Sequence, residues 1–183
     1  FSKLQYRVLL KFSDQLIFIT ENEYNYFKKL TGLSPTKNII YNSVEKTRTF
    51  KKKYSYLNKN VKLTIGSFSN YSYYRGTDRI VEVACLLPKN VLNNIKFVIA
   101  GDTDIPNGAK RKLKYLRHFK TLEEFVNKKG LKKHFYFLGH INDVENVLMN
   151  LDITLKLTRE YNPWGRDILE SMLYKVPAIS IGT

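Results

Sequence analysis

From Val61 onward the chain alternates short apolar runs with amphipathic ones, and few folds accept that rhythm. Val61 to Ile65, Lys96 to Ala100, Phe135 to Leu138, Ile153 to Leu157 and Ala178 to Ile181 read as strands. Between them, Thr77 to Leu87, Arg111 to Lys128, Val144 to Met149 and Trp164 to Tyr174 read as helices. Apolar strands separated by helices imply a parallel sheet covered on both faces, an α/β Rossmann-like arrangement. Ligands of such sheets sit outside the carboxyl ends of the strands, so the loops there hold the candidate chemistry.

The first 45 residues repeat the rhythm in miniature. Leu4 to Phe12 reads as a helix, Gln15 to Thr20 as a strand, Glu21 to Leu30 as a helix and Asn38 to Tyr41 as a strand. Glu21 and Glu23 suit a first helical turn, and Thr31-Gly32 is a stop signal. This reads as the tail of a second Rossmann-like domain, residues 1–45. A polar, basic linker follows over 46–60, and a ligand-binding Rossmann-like domain over 61–183. Both domains look cut, the second because the chain stops just after a strand.

The net charge is +15 over 183 residues. The positives are spread over Lys28-Lys29, Lys51 to Lys53, Lys110 to Lys114 and Lys128 to Lys133, as expected of solvated faces. An anionic membrane surface is the next partner to weigh, and nucleic acid is unlikely. No apolar run approaches the roughly 20 residues that span a bilayer. The single Cys85 excludes an intrachain disulfide, fits a reducing compartment and reads as a small buried hydrophobe. Three scattered histidines and one cysteine make no zinc site.

Four places carry candidate chemistry. Gly66 ends the first strand of the larger domain, and Arg75-Gly76 precede the next helix. A helix start with a glycine and a guanidinium suits a diphosphate; the plainer reading is an exposed loop arginine. Ala100-Gly101-Asp102 closes the second strand, where glycines are common. Leu138-Gly139-His140 closes the third, with a surface histidine as the plainer reading. In the fourth, Asn162-Pro163 marks a turn, Gly165 permits close approach, and Asp167 suits a first helical turn. Ile168, Leu169, Met172 and Leu173 form an apolar stripe with Glu170 beside it. A carboxylate can accept both hydroxyl hydrogens of a ribose, although a helix acid can equally be solvated. Arg166 either approaches a phosphate or pairs near Asp167.

The run from Asn162 to Glu170, N-P-W-G-R-D-I-L-E, resembles the donor site of GT-B glycosyltransferases of retaining family 4, the glycosyl transferases group 1. Ile40-Tyr41-Asn42-Ser43-Val44 is similar to the strand that closes the acceptor-side domain of that family. The resemblance implies that Glu170 binds the donor ribose. Asn162 takes the place of the first glutamate of a Glu-x7-Glu pair, and Asn162 and Glu170 are the catalytic candidates. It further implies a donor site lined by Gly66, Arg75, Gly76, Gly101, Leu138, Gly139, His140, Asn162, Trp164, Gly165, Arg166 and Glu170. Arg75 matches the family's lysine, whereas Ser67 stands where the family has an arginine.

The implied reaction moves a sugar from a UDP- or GDP-sugar to a glycan or lipid-linked acceptor, with retention and without a metal cofactor. Asp102-Thr103-Asp104 has the spelling of a metal motif, but sits at a turn that argues against that role. The implied setting is cytoplasmic, peripheral to the inner membrane face, and the 183 residues alone are expected to be inactive. Two alternatives stay open. One is a GT-B epimerase or phosphorylase. The other is a basic nucleic-acid-binding module that stacks bases on Tyr71, Tyr73 and Tyr74.

Overall fold

The computed structural model describes residues 3–45, 61–159 and 165–181. They fall into two compact units: residues 3–44 with 165–166, and the remainder.

The smaller unit holds α1 (Lys3–Lys11), β1 (Ile17–Phe18), α2 (Glu21–Thr31) and β2 (Asn38–Ile39). β1 and β2 pair in parallel, Ile17 with Asn38 and Phe18 with Ile39. Both are shorter than the sequence suggests. The α2 boundaries are written locally. The Thr20 hydroxyl accepts from the Glu23 amide at 3.0 Å, and the Glu23 carboxylate accepts from the Ile19 amide at 2.8 Å. These two bonds satisfy amides that a helix start leaves unpaired. At the other end Gly32 takes φ 69° and donates to the Lys28 carbonyl. Phe18, Tyr24 and Phe27 form the core beneath, with Tyr6 edge-on to Phe27.

The larger unit runs β3 (Leu63–Phe68), α3 (Asp78–Leu86), α4 (Lys89–Leu92), β4 (Ile95–Ala100) and α5 (Asn107–Lys112). It continues with α6 (Leu122–Lys128), β5 (Phe135–Gly139), α7 (Val144–Leu148), β6 (Ile153–Lys156), α8 (Arg166–Leu173, from its second residue on) and β7 (Ala178–Ser180). The five strands form one parallel sheet in the order β5-β4-β3-β6-β7. Both faces are covered. On one face Phe97 and Ile99 of β4 pack with Ile80, Val81 and Ala84 of α3 and with Leu122, Phe125 and Val126 of α6. On the other face Val98 packs with Val147, Leu148, Leu151 and Val176. This explains why Phe97 to Ala100 of β4 reads as an unbroken apolar run, since alternate residues enter different cores.

Four expectations are corrected. The long helix over Arg111 to Lys128 is two helices joined through a 3₁₀ turn at Lys114–Leu116. Residues 103–105 pair with 120–122: the Ile105 amide donates to Lys120 and the Leu122 amide to Thr103. That pairing holds Lys120-Thr121 extended, and the Thr121 hydroxyl then caps α6 by accepting from the Glu124 amide at 3.2 Å. The first strand of the unit starts later and runs on to Phe68, so Gly66 lies inside it. Cys85 is exposed, because Ile80, Val81 and Ala84 take the core face of α3. The apolar stripe of α8 is also not a core face. Only Ser171 is fully buried there, and Met172 is 66% exposed.

Candidate functional site

The strand order reverses at β3: the chain goes to β4 on one side and later returns to β6 on the other. The carboxyl ends of β3 and β6 therefore flank the crevice in which sheets of this kind bind ligands. Two turns line it, residues 69–77 after β3 and residues 157–159 after β6.

The turn after β3 is held from both sides. On the β4 side, the Ser69 amide donates to the Ala100 carbonyl at 3.0 Å and the Tyr71 amide to the Asp102 carbonyl at 2.7 Å. Gly101 has φ 126°, and a Cβ there would lie 2.5 Å from the Ser69 carbonyl carbon and oxygen. Only glycine lets the two turns touch this closely. On the β6 side, Gly76 has φ 68°, and its Cβ would lie 2.1 Å from the Leu157 oxygen.

Around that contact lies a dense polar seam. Arg159 donates twice to Asp78, at 2.8 and 2.5 Å, and once to the Tyr73 carbonyl at 2.9 Å. Its own amide donates to the Tyr74 carbonyl at 2.7 Å. Arg79 donates to the Leu157 and Thr158 carbonyls, and the Tyr115 hydroxyl to Asp78 at 2.6 Å. Asp78 is fully buried. Burial opposes the charge of Arg159, but the hydrogen bonds and attraction of Asp78 outweigh it and raise the pKa. Burial first, and Asp78 second, also raise the pKa values of Tyr71 and Tyr115.

Lys112 of α5 covers this seam, 4.3 Å from the Tyr73 ring centre and 4.2 Å from that of Tyr74, and donates to the Tyr74 hydroxyl. Arg159 is 5.0 Å from the Tyr73 ring centre. Tyr71 is buried. Tyr71 is thus withdrawn from solvent, and the Tyr73 and Tyr74 rings already carry Lys112, which weighs against a base-stacking platform. Arg75, by contrast, is exposed, and its guanidinium makes no hydrogen bond or ion pair with any described residue.

Across the crevice α8 is tied to β6 by polar contacts. Lys156 and Asp167 pair at 2.8 Å with side chains 6% and 18% exposed. Thr154 donates to the Ser171 hydroxyl at 2.9 Å, and Ser171 donates to the Asp167 carbonyl.

The sequence pattern of the family described as Glycosyl transferases group 1 matches residues 45–182. The chain belongs to that family. The fold agrees. HepE of Anabaena, solved with UDP and glucose, superposes with a TM-score of 0.74 at 20% identity, over 98% of this chain and 48% of its own. TarM of S. aureus, solved as a mutant with fondaparinux, α-GlcNAc-glycerol and UDP, gives 0.65 at 19% identity over 90% of this chain and 29% of its own. The C-terminal domain of a group 1 protein, LpcC of Francisella tularensis, gives 0.51 at 26% identity over 66% of this chain and 58% of its own. This chain thus spans about half the length of HepE or less of the longer relatives. No curated protein matches it significantly by sequence.

The residues singled out in this group 1 chain fall into three sets. Arg75, Gly76 and Gly101 meet at the turn after β3. Leu138, Gly139 and His140 lie at the end of β5, an edge strand with β4 between it and β3. Leu138 is half-buried and His140 exposed, while the Gly139 carbonyl accepts from the Gly101 amide at 2.7 Å. Glu170 is half-exposed on α8, with Gly165 buried and Arg166 exposed at that helix's start. Asn162 and Trp164 lie outside the described residues. Gly66 is placed differently from expectation. It lies inside β3, where a Cβ would meet the Leu151 Cδ1 at 2.1 Å, so its need for glycine is core packing.

Asp102 accepts from the Asp104 amide, which makes the Asp-x-Asp spelling a turn contact. No group of three His, Cys, Asp or Glu able to hold a metal occurs among the described residues. No helix among them is long and apolar enough to cross a membrane. Reading the sequence missed Asp78, Arg159 and Tyr115, and the Lys156–Asp167 pair. Lys156 carried a signal: it is a lysine inside the apolar run Ile153-Thr154-Leu155-Lys156-Leu157. Nothing in spacing links Asp78 to Arg159, 81 residues away.

Proposed function

We propose that the larger unit binds the nucleoside diphosphate of a UDP- or GDP-sugar, and that the protein transfers the sugar to a glycan or lipid-linked acceptor with retention. The observation that carries this reading is Arg75. It is an exposed guanidinium with no described partner, on a turn fixed at the switch point and followed by the start of α3. A guanidinium offers forked hydrogen bonds to a diphosphate, and helix amides add donors. Departure of the diphosphate leaves negative charge, which such donors stabilise without reorganising. In this reading Glu170 accepts from the ribose hydroxyls, and Asn162 hydrogen-bonds the sugar without supplying charge. Ser67, buried in β3 at the family's arginine position, gives no charge, so Arg75 carries the larger share. Family membership supports the reading, as does the fold shared with HepE, which was solved with UDP-glucose.

No metal is required in this scheme, and the 183 residues are expected to bind the donor without turning it over. In this reading the enzyme works in the cytoplasm, at or near the inner membrane face. The test is calorimetric titration of UDP and GDP, in chelator and again with magnesium. One nucleotide should bind equally in both, and binding should be lost in Arg75→Ala and in Glu170→Ala. Folded protein that binds neither nucleotide would end this reading.

A further inference from the structure

We infer that Arg159 is the positioning residue of the diphosphate site, an inference that rests on the donor-site reading above. The turn that carries Arg75 has little apolar anchorage at its tip, since Tyr74 and Arg75 are exposed. Its shape is instead set by hydrogen bonds, and those on the β6 side converge on residues 157–159. The Arg159 amide holds Tyr74, its guanidinium holds Tyr73, and Gly76 closes onto Leu157. Arg75 is therefore displayed between two residues that Arg159 holds and one that Leu157 abuts.

The pair with Asp78 does a second thing. Asp78 opens α3, so its carboxylate occupies the helix end that would receive an anion. A bare carboxylate there would repel a diphosphate, the more so at a reduced dielectric. Arg159 neutralises it with a two-pronged contact, and Tyr115 donates a third hydrogen bond. The guanidinium is thereby consumed inside the protein, so Arg159 does not itself touch phosphate. It keeps the positive end of α3 available and Arg75 aimed. Lysine cannot do this, because a point-like ammonium lacks the fork that reaches Asp78 and Tyr73 together.

The experiment is Arg159→Lys in the 183-residue protein, titrated with whichever of UDP or GDP the wild type binds and with the matching monophosphate. Loss of a charge-assisted contact network should weaken the diphosphate by about tenfold or more, and the monophosphate by about twofold or less. Unchanged diphosphate affinity in folded protein overturns the inference, and so does an equal loss for both nucleotides, which marks a merely structural role. Should the variant not fold, amide exchange of the wild type decides. The Gly76 and Arg159 amides are expected to exchange at a common rate, and the diphosphate should slow both. Unrelated rates, or protection of only one amide, overturn the inference. A wild type that binds no nucleotide removes the donor-site reading, and this inference with it.

Discussion

Helices α3 and α8 both begin beside the crevice, and both carry an aspartate in the first turn that pairs with a cation of the segment 156–159. There the likeness ends. α3 buries Ile80, Val81 and Ala84 in the larger core, and its Asp78 is fully enclosed by Arg159 and Tyr115. α8 buries only Ser171 fully, and its Asp167 keeps some access to water. One helix is fixed by apolar packing and a sealed ion pair together, the other mainly by hydrogen bonds to β6. The difference teaches that a site can be built from one side that is part of the core and another that rests on it. Burying an ion pair is costly, so the seam at Asp78 is better explained by the geometry it enforces than by net stability.

The comparison predicts a ranking. Asp78→Ala strands the Arg159 charge in the interior and should cost about 3–5 kcal/mol in urea unfolding. Asp167→Ala also strands a cation, Lys156, but it removes one charge-assisted hydrogen bond where Asp78→Ala removes two from Arg159 and one from Tyr115, and the cost should be nearer about 2 kcal/mol. Equal losses would break the contrast between the two helices. Thr154→Val, which removes a neutral hydrogen bond to Ser171, should cost about 1 kcal/mol and appear in the same melts. Met172→Glu on the exposed face of α8 should change stability by less than about 0.5 kcal/mol. A large loss there would show that this face is covered in solution.

A pH series sharpens the picture. Burial and Asp78 raise the Tyr71 and Tyr115 pKa values above the ordinary 10.0, so the fold favours both neutral phenols. Their contribution is complete below pH 10 and is lost as the unfolded phenols begin to ionise above it. Tyr115→Phe should flatten that alkaline loss. His134 behaves oppositely. Burial, against a weaker backbone hydrogen bond, lowers its pKa below 6.5, so its contribution is present above that value and lost on acidification through it.

Much of the sheet was legible because parallel strands buried on both faces write themselves as apolar runs, as Phe97 to Ala100 does. Lengths were less legible. The break between α5 and α6 depends on pairing with residues 103–105, and a helical period cannot report it. Of the candidate site, Gly76 was readable as a glycine at a helix start and Gly101 as one at a strand end, and the structure gives each a close backbone neighbour. Gly66 had the same residue type for another reason, a leucine packed against it. The Asp78–Arg159 pair was silent, since only folding brings its partners together.

Lys156 and Arg159 stand three positions apart and serve different helices. Loops normally accept insertions, because backbone at the surface can bulge outward. This one cannot. A residue added or deleted between 156 and 159 would leave Lys156 with Asp167 and carry Arg159 out of register with Asp78. The two cations therefore act only at this spacing, and a change of length between them is as disruptive as a change of either residue.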